Sequence, residues 1–161
     1  MRSLTEQEIS ERFSFPQLQE LATLGALQEE ALQDLLREGR VLELETDDTL
    51  FRAGSKPTAF YVILQGQISV HRQYEGQAMR IRTHKRGEQI GFAAIIALHD
   101  RRGTAIADQQ TVVLEISTEH FQQLYADASE EFAVLMMNLA RGMARTINAM
   151  GADIAELRGR N

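Results

Sequence analysis

The spacing of apolar side chains along the 161 residues changes character twice. Leu21, Leu24, Leu27, Ala31, Leu32, Leu35 and Leu36 recur three and four apart, the period of an amphipathic helix, and Gly39 ends the run. Ahead of it, Ser3-Leu4-Thr5-Glu6 has the S-x-x-E form of a capping box and predicts a short helix to about Phe13, which Pro16 interrupts or restarts. From Arg40 to about Ser117 the runs are short, alternating or β-branched: 41–44, 49–51, 59–70, 79–81, 104–107 and 111–116. Asp47-Asp48, residues 54–57 and Glu75-Gly76 read as turns, and Gly66 as a bend inside the longest run. About eight short strands with such punctuation predict a mainly β fold with flanking α, a jelly-roll β-barrel carrying N-terminal helices.

After Ile116 the helical period returns. Residues 118–126 predict a short helix, and Ser129-Glu130-Glu131 begins a long one reaching about Arg158. Its apolar residues Phe132, Met136, Leu139, Met143, Ile147, Met150, Ile154 and Leu157 are three or four apart throughout. A seam of that length exceeds what one small barrel covers, so a partner helix and a homodimer are expected. Gly142 and Gly151 weaken the isolated helix by roughly 1 kcal/mol each against alanine and permit close helix approach. The chain thus divides into a helical N-terminal extension (1–20), a β domain (21–126) and a long C-terminal dimerisation helix (127–161) belonging to the same domain.

Composition excludes more than it assigns. The formal net charge of −6 argues against general nucleic-acid binding, which needs a basic face. With no cysteine there is no disulfide framework, thiolate metal site or cysteine nucleophile, in keeping with a cytoplasmic protein. The opening MRSLTEQEISERF is too polar for a secretory signal, and no run approaches the roughly 18 apolar residues of a membrane span. His71, His84, His99 and His120 are dispersed, without metal-ligand spacing, and no H-E-x-x-H, G-x-S-x-G or Walker loop occurs, so an enzyme is not expected. The basic residues do cluster. Arg80, Arg82, Lys85, Arg86, Arg101 and Arg102 have only Glu88 and Asp100 as acids between them, a local field suited to a small anion.

That cluster brackets GEQIGFAAIIALHDRRGTAI, residues 87–106. Gly87 and Gly91 frame a tight turn, a small apolar run follows, and Arg101-Arg102 precede Gly103-Thr104 and a strand. Glycine lets a helix start come close to a ligand, free N–H groups there bind anions, and arginine grips phosphate in a bidentate fork. The same residues also fit a buried helix followed by a solvated arginine loop. The flanks, Leu50-Phe51-Arg52-Ala53-Gly54 and the run from Phe60 through Gly66 to Val70, arrive in an order that resembles the cyclic-nucleotide-binding domain family, over residues 21–157. The resemblance implies that 87–106 is a phosphate-binding cassette, that the ligand is a cyclic nucleotide such as cyclic AMP with no further cofactor, and that the long helix forms a dimer interface.

Carried over residue by residue, the resemblance implies ligand contacts from Gly91, Phe92, Ala93 and Ala94, with the phosphate on backbone N–H groups near Ala93-Ala94. One of Arg101 and Arg102 would pair with the phosphate, and Gly103 or Thr104 would supply a further donor. Counting back from Phe121 favours Arg101; matching Ile106 to the family's usual valine favours Arg102. Adjacent side chains on an extended stretch point opposite ways, so one of the two is expected to face the pocket. Thr146, 25 residues after Phe121, matches a base-contacting threonine, although Ile147 replaces the serine beside it. The main departure is Phe92, where family members that bind cyclic AMP usually carry a glutamate for the ribose 2′-hydroxyl. Loss of that bond would cost on the order of 1–3 kcal/mol. The family's receptor proteins continue into a helix-turn-helix after the long helix, and this chain ends there, so direct, sequence-specific DNA binding is not expected. Two readings stand: a stand-alone sensor of a cyclic nucleotide or related anion that signals to a protein partner, or a degenerate domain without ligand that acts as a dimeric interaction module.

Overall fold

The computed structural model describes residues 1–159. Nine strands and six helices run in the order β1 (Arg2–Ser3), α1 (Glu6–Arg12), α2 (Phe15–Gln19), α3 (Glu29–Glu38), β2 (Arg40–Leu44), β3 (Thr49–Phe51), β4 (Ala59–Gln65), β5 (Gln67–Tyr74), β6 (Gln77–Lys85), β7 (Gln89–Ile90), α4 (Phe92–Ile96), β8 (Thr104–Ala107), β9 (Thr111–Ser117), α5 (Thr118–Asp127) and α6 (Ser129–Gly159). The strands make two antiparallel sheets, β1-β2-β9-β4-β7 and β3-β8-β5-β6. The jelly roll is therefore two facing sheets, and they do not close into the single barrel expected from the strand count.

Three layers follow from the side-chain pattern. On β4, Phe60, Val62 and Leu64 join a core with α2, α3, α5 and α6, while Ala59, Tyr61 and Ile63 join a second core against the four-stranded sheet. A strand buried on both faces reads as a continuous apolar run, which is why residues 59–64 show no alternation. At Gly66 (φ +87°) the chain leaves one sheet for the other; a Cβ there would fall 2.4 Å from Thr111 Oγ1, so only glycine fits. The β5–β6 hairpin turns on Glu75 and Gly76, both at positive φ.

Two expectations change. The helical spacing from Leu21 does not begin a helix: 21–28 is irregular, Ala26 takes φ +64°, and α3 starts at Glu29. Leu21, Leu24 and Leu27 are nonetheless buried, because tight turns bring them onto the same core as α3. Nor are residues 1–20 only helical. β1 adds an edge strand beside β2, and Leu4, Ile9 and Leu18 enter the core. Buried Glu43 ties this segment down through Arg2 and Arg12, each at 2.6 Å, and the bond from Arg12 holds its carboxyl below the usual range.

The long helix α6 has two halves. Leu135, Asn138 and Leu139 are buried against the domain, and Asn138 Nδ2 donates to the carbonyls of Gly25 (2.7 Å) and Thr23 (3.2 Å). Leu139, part of the predicted dimer seam, is thus a core residue of its own domain. Past Met143 the seam is exposed at Ile147, Met150, Ile154 and Leu157. Among the described residues no helix is long and apolar enough to cross a membrane.

Candidate ligand-binding cleft

Gly91 closes β7 at φ +91° and caps the five-residue helix α4. A Cβ on it would lie 2.3 Å from Arg101 Nη1, so the glycine is required by the arginine beside it. Arg101 is 5% exposed. Its guanidinium donates to the carbonyl of Gly91 at 2.9 Å and to that of Ala59, and lies 4.0 Å from the Phe51 ring centroid. Its backbone is pinned as well: its N–H donates to Ser55 O, and its carbonyl accepts from Gly54 N–H. Nε is buried without a partner. Among the described residues no carboxylate pairs with it, and burial pushes its pKa down without discharging a guanidinium. Nearby Tyr61, pushed up to about 12 by burial, remains a neutral phenol and supplies no counter-charge.

Arg101 borders a cleft of about 350 Å³ between the 91–103 segment, the inner face of β5–β6 and α6. Strand register explains the sheet wall. Val70 is opposite both Ala105 and Arg82, so Arg82 and, two residues along β5, Arg72 share the inner face with Val70. Four arginines (Arg72, Arg82, Arg101, Arg102) therefore line the cleft, with no acidic side chain on its wall. Arg82 reaches Glu88 at 3.3 Å, while its Nε has no partner. His84, lowered to about 4 by burial and then by Arg82, is neutral at pH 7. Met143, Ile147 and Met150 of α6 supply an apolar wall. A concave site with an apolar side and converging cations has the chemistry to hold an organic anion.

The family model for the cyclic nucleotide-binding domain matches residues 41–128, more than half of the chain. The chain belongs to the cyclic nucleotide-binding domain family. Solved structures with the same fold include a cyclic nucleotide-binding domain from Methylobacillus flagellatus (TM-score 0.79, 18% identity, 88% of this chain and 83% of that one). The catabolite activator protein of Thermus thermophilus matches with TM-score 0.69 and 20% identity over 85% of this chain and 63% of its own. A cyclic nucleotide-binding-like protein from Brucella abortus matches with TM-score 0.58 and 27% identity, over 70% and 97%. No curated protein matches the chain.

Of the residues named from sequence, the cyclic nucleotide-binding domain brings Gly91, Ala93, Ala94, Arg101, Arg102, Gly103 and Thr146 to the cleft wall. Both arginines line it, contrary to the expectation of one, because 101–102 is irregular backbone and not strand, so side chains need not alternate. Arg101 is buried and Arg102 exposed. Thr146 Oγ donates to Gly142 O at 3.0 Å and keeps its lone pairs. Gly103 serves close packing: a Cβ there would be 2.6 Å from Val70 Cγ1.

Two named residues are elsewhere. Phe92 is fully buried with its ring 5.0 Å from Phe60 and 5.6 Å from Phe121, in the helix-side core. It neither fills a sugar site nor touches the cleft; as first residue of α4 it faces β4. Thr104 does not line the cleft either, and its hydroxyl accepts from Ala53 N–H at 3.1 Å. Sequence reasoning missed Arg72, His84 and Phe51 as cleft residues. The alternation Ile68, Val70, Arg72 was the available signal for Arg72.

Phe92→Glu places a carboxylate in that aromatic core. It is expected to destabilise the domain by about 3–5 kcal/mol in urea denaturation; unchanged stability with a gain in cyclic AMP affinity would contradict the placement. His84 gives a pH test. Its folded pKa lies below the unfolded value of 6.5, so its contribution is complete above pH 6.5 and is lost as the pH falls toward 4, where the unfolded chain takes up the proton. Between pH 6.5 and 4.5 the wild type should lose more stability than His84→Gln, by roughly 3 kcal/mol at most; parallel curves would refute it.

Proposed function

We propose that this chain is a regulatory small-molecule sensor: it binds a cyclic nucleotide or related anionic ligand in the arginine cleft and signals to a protein partner through α6. The observation that carries this reading is Arg101, a buried cation without a carboxylate. Burying an unpaired charge is costly, and a ligand phosphate would supply the missing counter-charge and an acceptor for Nε. The fold family supports the ligand class. A route for the signal is available because Met143, Thr146, Ile147 and Met150 line the cleft on the helix whose distal seam is exposed. The 4-3-4-3 spacing of Met143, Ile147, Met150, Ile154 and Leu157 favours a second copy of α6 as the partner of that seam, giving a homodimer in the cytoplasm.

The placement of Phe92 favours a second reading, a ligand-free dimeric interaction module, because no carboxylate stands at its position for a ribose hydroxyl.

Thermal unfolding and calorimetry with cyclic AMP and cyclic GMP separate the two. The sensor reading expects ligand at a hundred times Kd to stabilise the wild type by about 2.7 kcal/mol, and Arg101→Gln to lose that response. No stabilisation by any cyclic nucleotide at millimolar concentration leaves the interaction module. For the dimer, Ile154→Glu with Leu157→Glu should convert dimer to monomer by light scattering, without touching the domain core. A monomeric wild type at micromolar concentration would refute it.

A further inference from the structure

The arginines of the cleft stand beside a broad aliphatic surface that a sugar and a base would leave largely unmatched. Resting on the reading above that the cleft binds an anion, we propose that the body of its ligand is an alkyl chain. The ligand is a medium-chain fatty-acid carboxylate, with its head at Arg101 and Arg102 and its chain between the β5–β6 sheet and α6.

Two sides build the apolar band. On the sheet side, Val70 pairs with Arg82 and His71 with Arg80, so Ile81 is the extra residue of a bulge, without a partner on β5, and it lines the cleft with Val70. Ile90, which ends β7, also lines it. On the helix side are Met143, Ile147 and Met150, four and three apart and so on one face of α6. Ile81, Ile147 and Met150 are 45%, 69% and 46% exposed, so the band is apolar surface that a chain lying along it would take out of water. Ile147 and Met150 belong to the seam of α6 as well, whereas its distal residues Ile154 and Leu157 do not line the cleft.

The head belongs on the 91–103 side. Arg82 on the sheet is matched by Glu88 at 3.3 Å, whereas Arg101 keeps a buried Nε without an acceptor and Arg102 beside it is exposed. A carboxylate has two oxygens and can accept from both adjacent arginines. A nucleoside is matched less well. Among the described residues the one phenyl ring on the wall is Phe51, and Arg101 already covers it at 4.0 Å from the centroid, so no phenyl face is left for a purine. With Phe92 in the core, no carboxylate at that position accepts from a ribose hydroxyl. From Met143 to Met150 the helix rises roughly 10 Å, the reach of an extended chain of about eight carbons.

The test is calorimetric titration of the full chain with hexanoate, octanoate, decanoate, dodecanoate, neutral 1-octanol and cyclic AMP. Hexanoate and octanoate are repeated on Ile81→Ser, Ile147→Ser and Arg102→Gln, three exposed positions whose variants keep the fold, as urea denaturation checks. The expected result is octanoate binding roughly tenfold more tightly than hexanoate, from two added methylenes, with little further gain beyond decanoate. Octanoate should also bind at least roughly tenfold more tightly than 1-octanol or cyclic AMP. Ile81→Ser and Ile147→Ser should each shrink the octanoate-to-hexanoate ratio by roughly threefold, and Arg102→Gln should weaken both carboxylates alike by roughly tenfold. A flat series, tightening that continues to dodecanoate, 1-octanol or cyclic AMP binding as tightly as octanoate, or carboxylates indifferent to Arg102→Gln would overturn the alkyl ligand. So would a ratio that neither serine variant changes, as for a tail in the apolar groove between α1, α2 and α3. Cyclic AMP binding in any of those cases leaves the sensor reading standing, and failure of every probe at millimolar concentration overturns both.

Discussion

The segment 91–103 is held by one buried cation. Arg101 joins three parts of the fold that are remote in sequence: the Gly91 turn, the start of β4 at Ala59, and the Phe51 ring at the end of β3. Its backbone joins a fourth, the 54–55 turn. Carbonyl dipoles and a ring face stabilise a guanidinium, but they do not neutralise it. The charge therefore remains available to whatever enters the cleft, and the glycine at 91 is there because any side chain would strike the guanidinium. Structure and binding chemistry meet in the same group.

The second constraint is that the five-stranded sheet is buried on both sides. One face carries the helices and the other the four-stranded sheet; β7 at its edge brings Gln89 and Ile90 to the cleft, and α6 forms the outer wall. Because Leu135, Asn138 and Leu139 anchor α6 to the domain, its cleft-facing turn from Met143 to Met150 is set by the core and not by the exposed distal seam. That stretch of α6 lines the cleft, and the same helix carries the exposed distal seam.

Much of this was legible before any coordinates. Turns announced themselves where the backbone needs positive φ, as at Glu75-Gly76 and Gly66, and the spacing after Ser129 marked α6 to within a residue or two of its end. The family resemblance singled out residues 87–106, a segment that borders the cleft, and the excess of arginine around it is the cleft's basic wall. What escaped were features decided by tertiary contacts. Leu21, Leu24 and Leu27 keep a helical spacing yet sit in turns, since burial of a leucine does not require a helix. Phe92 occupies a motif position whose side chain here turns into the core, and composition carries no sign of that rotation. Arg101 and Arg102 both reach the cleft because their backbone is irregular. Arg72 joins them through the alternation along β5, which shows that it shares a face with Val70 but not that this face borders the cleft.

The most direct measurement is the NMR signal of the Arg101 Nε proton, assigned by comparison with Arg101→Lys, before and after saturation with a bound cyclic nucleotide. The account predicts a proton in the free protein that exchanges with solvent far more slowly than those of exposed arginines such as Arg102, and that moves downfield when a phosphate becomes its acceptor. A rapidly exchanging Arg101 proton, or a slow one whose shift is unchanged by a ligand that calorimetry shows to be bound, would contradict it.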